Sequence, residues 1–433
     1  MKSWFNGISA RISVSLENSG PSRISGHYKK MEQLHGQNFN GLGIAPDFLK
    51  ILEQNKFTVP TPIQHQAIAP AMEGKDIVGI AQTGTGKTLA FGLPLLQRLY
   101  SAQAEGTGLI LLPTRELAIQ ADEMLQKIGR HLGLLTAVLI GGEGMGRQIA
   151  ALRRRPHVII ATPGRLLDHV ESKNLKLDTV SIVVLDEADR MLDIGFVPQI
   201  RKILALVPKK RQTMLFSATM PAEIVQIAST YMIAPVRVEV APSGTAAELV
   251  DQEIILVRKD ARIKLLGDLL HEYRGTVLVF SRTKYGARKI CQAIGEMGHQ
   301  VAEIHSNRSL GQRKEALGGF KSGKYRILVA TDIAARGIDV HGIELVINYD
   351  LPDNTQDYVH RIGRTGRAGG AGKAISFATP DQQSDVRAIE RLVRKQIPVK
   401  PHRDEIFLAT PNTTRSFGRT QHLRRGPRKW RRI

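Results

Sequence analysis

The chain predicts an α/β architecture of two tandem, doubly wound parallel-sheet domains, joined by a flexible linker and flanked by disordered extensions. Three observations predict it. At 433 residues the chain is too long for one ordinary domain. Short, continuously apolar runs alternate with longer helical patterns, the way strands buried on both faces of a parallel sheet read. The alternation also comes in two series, parted by the polar stretch Ala241-Pro-Ser-Gly-Thr-Ala-Ala-Glu248.

Residues 1–36 form a leader rich in Ser, Gly, Arg and Lys. It reads as a targeting segment or as sequence upstream of a second start at Met31. With no clear apolar or amphipathic stretch, an uninformative extension is the favoured reading. The first domain spans 37–240, with strands expected at Asp76–Ile80, Gly108–Leu112, Val158–Ala161, Ile182–Leu185 and Thr213–Phe216. The linker takes 241–250. The second domain, 251–395, has strands expected at Ile254–Val257, Thr276–Phe280, Val301–Ile304, Arg326–Ala330, Leu345–Asn348 and Ala374–Phe377. A tail, 396–433, ends in a stretch from Arg415 with eight Lys/Arg and no acid, which stays disordered until it meets an anion.

Lys+Arg number 61 against 40 Asp+Glu, a net charge of +21 that calls for a polyanionic partner. An anionic membrane surface is one such partner, but no amphipathic anchor or lipidation motif accompanies the charge, and no apolar run is long enough to span a bilayer. Cys291 is the single cysteine, which excludes an internal disulfide, and the 13 His are scattered singly, which argues against a Cys/His zinc site.

The run Ala81-Gln82-Thr83-Gly84-Thr85-Gly86-Lys87-Thr88 follows a predicted strand and opens a helical pattern, the context a phosphate-binding loop requires. Gly84 and Gly86 let the backbone N–H groups curl toward phosphate oxygens, Lys87 offers charge to the β- and γ-phosphates of ATP, and the Thr88 hydroxyl is a ligand for Mg²⁺. Ala81 stands where the general pattern has Gly. About one hundred residues on, a predicted strand runs into Asp186-Glu187-Ala188-Asp189. Asp186 is the expected metal-side carboxylate, and Glu187 the group that orients or deprotonates water. Alone, such an acidic run is more often a solvated loop; the phosphate loop changes that balance.

With these residues in place, the sequence resembles the DEAD-box ATP-dependent RNA helicases, whose name the run Asp186–Asp189 spells. The resemblance implies two RecA-like domains and covers roughly residues 39–380, with about ten motifs in order. Ser217-Ala-Thr219 is similar to the segment that couples ATP state to strand separation, though both side chains also suit a strand-end cap. Phe57-Thr-Val-Pro60-Thr-Pro-Ile-Gln64 resembles the adenine-reading motif. A Gln amide supplies donor and acceptor together, and Phe39 stands where the family stacks a ring on the base. Lys56 replaces the usual Gly.

By the same resemblance, Thr114, Arg115, Gly142, Thr162 and Arg165 grip an RNA backbone from the first domain, and Arg282, Thr331 and Asp332 from the second. Gly337 and Asp339 meet the ribose of ATP. Arg364 and Arg367, in His360-Arg-Ile-Gly-Arg-Thr-Gly-Arg367, match arginine fingers brought to the γ-phosphate when the domains close. Leu310 departs from the family, which often carries Gln there. The implied activity is RNA-stimulated ATP hydrolysis that unwinds short duplexes and remodels RNA–protein complexes, with ATP and Mg²⁺ as ligands and little RNA sequence preference. The short linking segments and simple tail look most like the bacterial members, which points to a cytoplasmic location. A non-enzymatic RNA clamp and a DNA-directed motor remain as alternatives.

Overall fold

Val180–Leu185 illustrates why the apolar runs are continuous: Val180, Val183 and Leu185 enter one buried cluster, while Ile182 and Val184 enter another on the opposite face of the sheet. Val277–Phe280 does the same in the second half of the chain, with Val277 and Val279 on one side and Leu278 and Phe280 on the other. Each sheet therefore needs a helical layer on both faces, and each half of the chain has two apolar clusters, one per face.

The computed structural model describes residues 38–82, 84–101, 106–240, 250–335, 340, 342–366 and 372–401. The expectations for the leader, for the linker up to 249 and for the tail from 402 fall outside these residues. The first sheet contains β1 (Ile77–Ile80), β2 (Thr107–Leu111), β3 (Thr136–Leu139), β4 (Val158–Ala161), β5 (Val180–Leu185), β6 (Gln212–Ser217) and β7 (Val236–Glu239). The second contains β8 (Val250–Leu256), β9 (Val277–Phe280), β10 (Val301–Ile304), β11 (Ile327–Ala330), β12 (Leu345–Asn348), β13 (Gly372–Ala378) and β14 (Val399–Pro401). Every pairing is parallel.

The strand orders are β3-β4-β2-β5-β6-β1-β7 and β10-β11-β9-β12-β13-β8-β14. Subtracting seven from each label of the second gives the first, so the two halves share one topology. Among the described residues no helix is long and apolar enough to cross a membrane.

In a parallel sheet all C-terminal strand ends lie along one edge, where the loops carry the chemistry. The strand order divides that edge of the first sheet. The phosphate loop, Ser217 and the acidic run leave β1, β6 and β5, which are neighbours. Thr114–Arg115, Gly142 and Thr162–Arg165 follow β2, β3 and β4, the adjoining half.

Candidate active site and nucleic-acid interface

The phosphate loop turns on two left-handed glycines, Gly84 (φ 87°) and Gly86 (φ 91°), and delivers Lys87 as the first residue of the helix Lys87–Tyr100. A side chain at Gly86 would collide with the amide of Gln64, which packs directly against the loop. Gln64 is buried; its Nε2 donates to Gly86 O (3.1 Å), and its Oε1 accepts from Thr61 N–H (2.9 Å) as half of a capping box. One amide hydrogen and one lone pair remain for a base. Phe39 is 4% exposed within the first domain's core and, with Phe57, lines a cleft of about 380 Å³. Lys56, beside Phe57, adopts φ 62°, so the left-handed turn that suits glycine is kept with a lysine. Thr83 lies outside the described residues. Thr85 donates its hydroxyl to Gln82 O (2.7 Å), and Thr88 is half-buried.

Lys87 Nζ donates to Ala81 O (3.1 Å) and to Glu187 Oε1 (2.9 Å), which leaves one N–H for a phosphate oxygen. Burial alone would lower its pKa; the carboxylates of Glu187, Asp186 and Asp189 outweigh that and hold it above the ordinary lysine value. Burial pushes Asp186 up to about 7, with Lys87 opposing and Glu187 adding to the rise. Glu187 pays the same burial penalty, but Lys87 and Arg190 overcome it and keep its carboxyl well below the usual range. The two adjacent acids are thus driven apart. Glu187 also sits at φ 56°, ψ 50°, a left-handed conformation rare for a non-glycine and typical of functional sites.

Asp189 ties this run to the next strand. Its N–H donates to Ser217 Oγ (3.0 Å), and its Oδ2 accepts from Thr219 N–H (2.8 Å) and Thr219 Oγ1 (2.9 Å). Ser217 and Thr219 therefore bond the acidic run itself rather than only capping their own strand end. His360, whose neighbours Arg364 and Arg367 were singled out in the sequence, proves to be a site residue in its own right. It comes from the second domain into the surroundings of Arg190, Asp189 and Glu187. Burial, with Arg190, lowers its pKa to about 4. Arg364 is buried nearby, donating Nε–H to His360 O (3.2 Å). Arg367, Gly337 and Asp339 lie outside the described residues.

On the adjoining half of the first edge, the Arg115 guanidinium packs so closely on Gly142 (φ 79°) that a Cβ there would overlap it. Thr114 Oγ1 caps the following helix by accepting Leu117 N–H (3.3 Å), and Thr162 opens the helix Pro163–Glu171. Arg165 is held by Glu143 O (3.1 Å) and Asp168 (3.2 Å). In the second domain, Arg282 donates to Leu351 O (3.1 Å) and pairs with Asp353 (3.1 Å), at 44% side-chain exposure. Thr331 is half-buried at the end of β11. The Asp332 carboxylate is taken bidentately by Arg361 (2.5 and 2.7 Å), which is buried and also donates to Asn348 Oδ1 and Asp350 O. Arg361 gave no separate signal in the sequence.

Arg313 and Leu310 also cross between the halves. Arg313 pairs with Glu116 (2.7 Å), both buried, and Leu310 is 8% exposed because it joins an apolar cluster of the first domain. The position that departs from the family thus makes an apolar contact between domains.

Residues 61–227 match the DEAD/DEAH box helicase family model, and residues 261–369 match that of the helicase conserved C-terminal domain. Over 380 residues the chain is 42% identical to an ATP-dependent rRNA helicase, RRP3, of Debaryomyces hansenii, covering 87% of this chain and 80% of that protein. The chain belongs to the DEAD-box helicase family. It is also 42% identical over 360 residues to the DEAD-box ATP-dependent RNA helicase CshA of Bacillus cereus (83% of this chain, 69% of that one). Among solved structures, S. cerevisiae Dbp5 bound to RNA and ADP BeF3 superposes with a TM-score of 0.76 at 29% identity, covering 86% of this DEAD-box chain and 98% of that one.

Proposed function

We propose that this DEAD-box protein hydrolyses ATP in an RNA-stimulated cycle and uses closure of its two domains to pry apart short RNA duplexes and remodel RNA–protein complexes. The observation that carries this reading is the joining of three neighbouring strand ends by Lys87–Glu187 and Asp189–Thr219 hydrogen bonds, with His360 of the second domain close to Glu187 and Asp189. Likeness to an rRNA helicase and to RNA-bound Dbp5 supports RNA as the partner.

In this reading, phosphates settle on the loop 81–88 with the remaining Lys87 hydrogen on a γ-oxygen, while Gln64 reads adenine beside Phe39 and Phe57. Glu187, kept ionised by Lys87 and Arg190, accepts the proton of the water that attacks the γ-phosphorus, and ADP leaves. Arg364 and Arg367 steady the charge on the transferring phosphoryl group, and Gly337 and Asp339 hold the ribose. A magnesium site fits Thr88 and Asp186: the Thr88 hydroxyl has no partner among the described residues, and the Asp186 carboxyl is buried and raised to about 7. Bound there, Mg²⁺ would neutralise phosphate charge. Thr114, Arg115, Gly142, Thr162 and Arg165 face the backbone of one strand, continued by Arg282, Thr331 and Asp332, the last of these held by Arg361. Because each domain carries half of both sites, ATP and RNA affinities are linked. The place of action is the cytoplasm.

The test is steady-state ATP hydrolysis without nucleic acid, with single-stranded RNA and with DNA of the same sequence. RNA-selective stimulation is expected. Equal stimulation by DNA would make this a general nucleic-acid motor, and absent stimulation with tight ATP-dependent RNA binding would make it a clamp.

A further inference from the structure

Tyr285 stands in the first turn of the helix Lys284–Glu296, directly after β9, and is 67% exposed. Single exposed apolar side chains are common; what distinguishes Tyr285 is its company. Lys284 Nζ lies 5.3 Å from the ring centroid and also donates to Asn307 Oδ1 (3.0 Å), so cation and ring are held together in advance. Arg282 lies three residues before Tyr285, and Arg308 follows Asn307 in the chain. These groups follow β9 and β10, which flank β11, the strand that Thr331 follows. Tyr285 therefore belongs to the same edge as the RNA-facing residues of the second domain. Among the described residues no other aromatic ring packs on it.

We propose that Tyr285 is a stacking platform for an unpaired RNA base where the strand passes the second domain, with Lys284 and Arg282 meeting the flanking phosphates. The proposal rests on the reading of that edge as the RNA groove and adds to it a contact with a base. An exposed ring among cations is the combination that holds single strands without choosing sequence, since every base has a π-face. A protein partner would call for a wider apolar patch. Val59, Tyr100, Leu135, Leu206, Val225 and Ile233 are exposed on the first domain, and Val399 lies on β14 at the far edge of the second sheet.

The test is the affinity of the full chain for a single-stranded uridine oligomer with a non-hydrolysable ATP analogue. The same oligomer lacking its bases serves as the second probe. Tyr285→Ala is expected to weaken binding of the intact strand roughly tenfold, to raise KM for RNA while kcat at saturating RNA holds, and to leave the salt dependence unchanged. Tyr285→Phe should bind as the parent does, and on the base-free strand parent and Tyr285→Ala should bind alike. Equal affinity of parent and Tyr285→Ala for the intact strand would overturn the platform, as would an equal loss on the base-free strand. Failure of the parent to bind either strand would instead overturn the RNA groove itself.

Discussion

Leu310→Ala isolates what one side chain contributes to closure. Leu310 belongs to the second domain but is buried in a cluster of the first, so its apolar surface leaves water only when the domains meet. Truncation removes three carbons, and at ~0.8 kcal/mol for each buried carbon the closed form loses about 2 kcal/mol, or about thirtyfold in its equilibrium. The neighbouring Glu116–Arg313 pair does not make up the difference, because a buried ion pair roughly repays its own desolvation and little more. RNA affinity should therefore fall about thirtyfold when measured with a non-hydrolysable ATP analogue and stay unchanged without nucleotide, when the closed form is not engaged. The thermal midpoint should not move, since with the domains apart the side chain is at the surface. Fluorescence anisotropy with labelled single-stranded RNA, with and without analogue, measures both affinities. An equal loss in the two titrations, or no loss in either, would refute the reasoning.

Glu187→Gln keeps the shape of a buried side chain and removes its charge, so turnover should drop roughly 10²–10⁴-fold while ATP and RNA binding persist; unchanged turnover would remove Glu187 from the mechanism. Lys56→Gly should stabilise the chain by about 1 kcal/mol in urea unfolding, because the φ of 62° strains a lysine and suits glycine. His360 has its pKa lowered to about 4 when buried against Arg190 and returns toward 6.5 when the domains part, so the closed form binds fewer protons. Closure is then undiminished above pH 6.5 and weakens by up to about tenfold per pH unit as the pH falls toward 4. His360→Asn should flatten that part of the pH profile of RNA binding, and a profile that keeps its shape would count against the assignment.

Central strands were the most legible part of the fold, and the reason is their environment. β1, β4, β9 and β11 are buried along their whole length, so each writes an unbroken apolar run into the sequence. β7 and β14 lie at sheet edges and read as Val-Arg-Val-Glu and Val-Lys-Pro, with no such run to mark them. β8 begins at Val250, ahead of the apolar stretch expected at Ile254, because its first residues alternate between exposed and buried. At the site, contiguous runs such as Ala81–Thr88 and Asp186–Asp189 could be found because one loop carries all their groups. Pairings between distant segments leave no such mark: Asp332 gives no hint of the Arg361 that pairs with it, and Glu116 none of Arg313. Lys56 replaces the family's usual Gly, yet the backbone keeps the left-handed turn.

The shared strand order also gives this molecule a safe side. The phosphate loop, the acidic run and the segments after β2, β3 and β4 gather at the C-terminal ends of the strands, and the opposite rim of the first sheet is formed by Gly106, Pro156, His157 and Thr179 around a separate cleft. A fluorophore, affinity handle or fused domain grafted at Lys176 or Asp178 would ride on that rim, at the far end of β5 from Asp186 and Glu187. The matching rim of the second sheet, where Arg274 and Gly275 precede β9, offers the counterpart position. A pair of labels placed on these two rims would report the opening and closing of the lobes from outside, leaving the loops that meet nucleotide and RNA untouched.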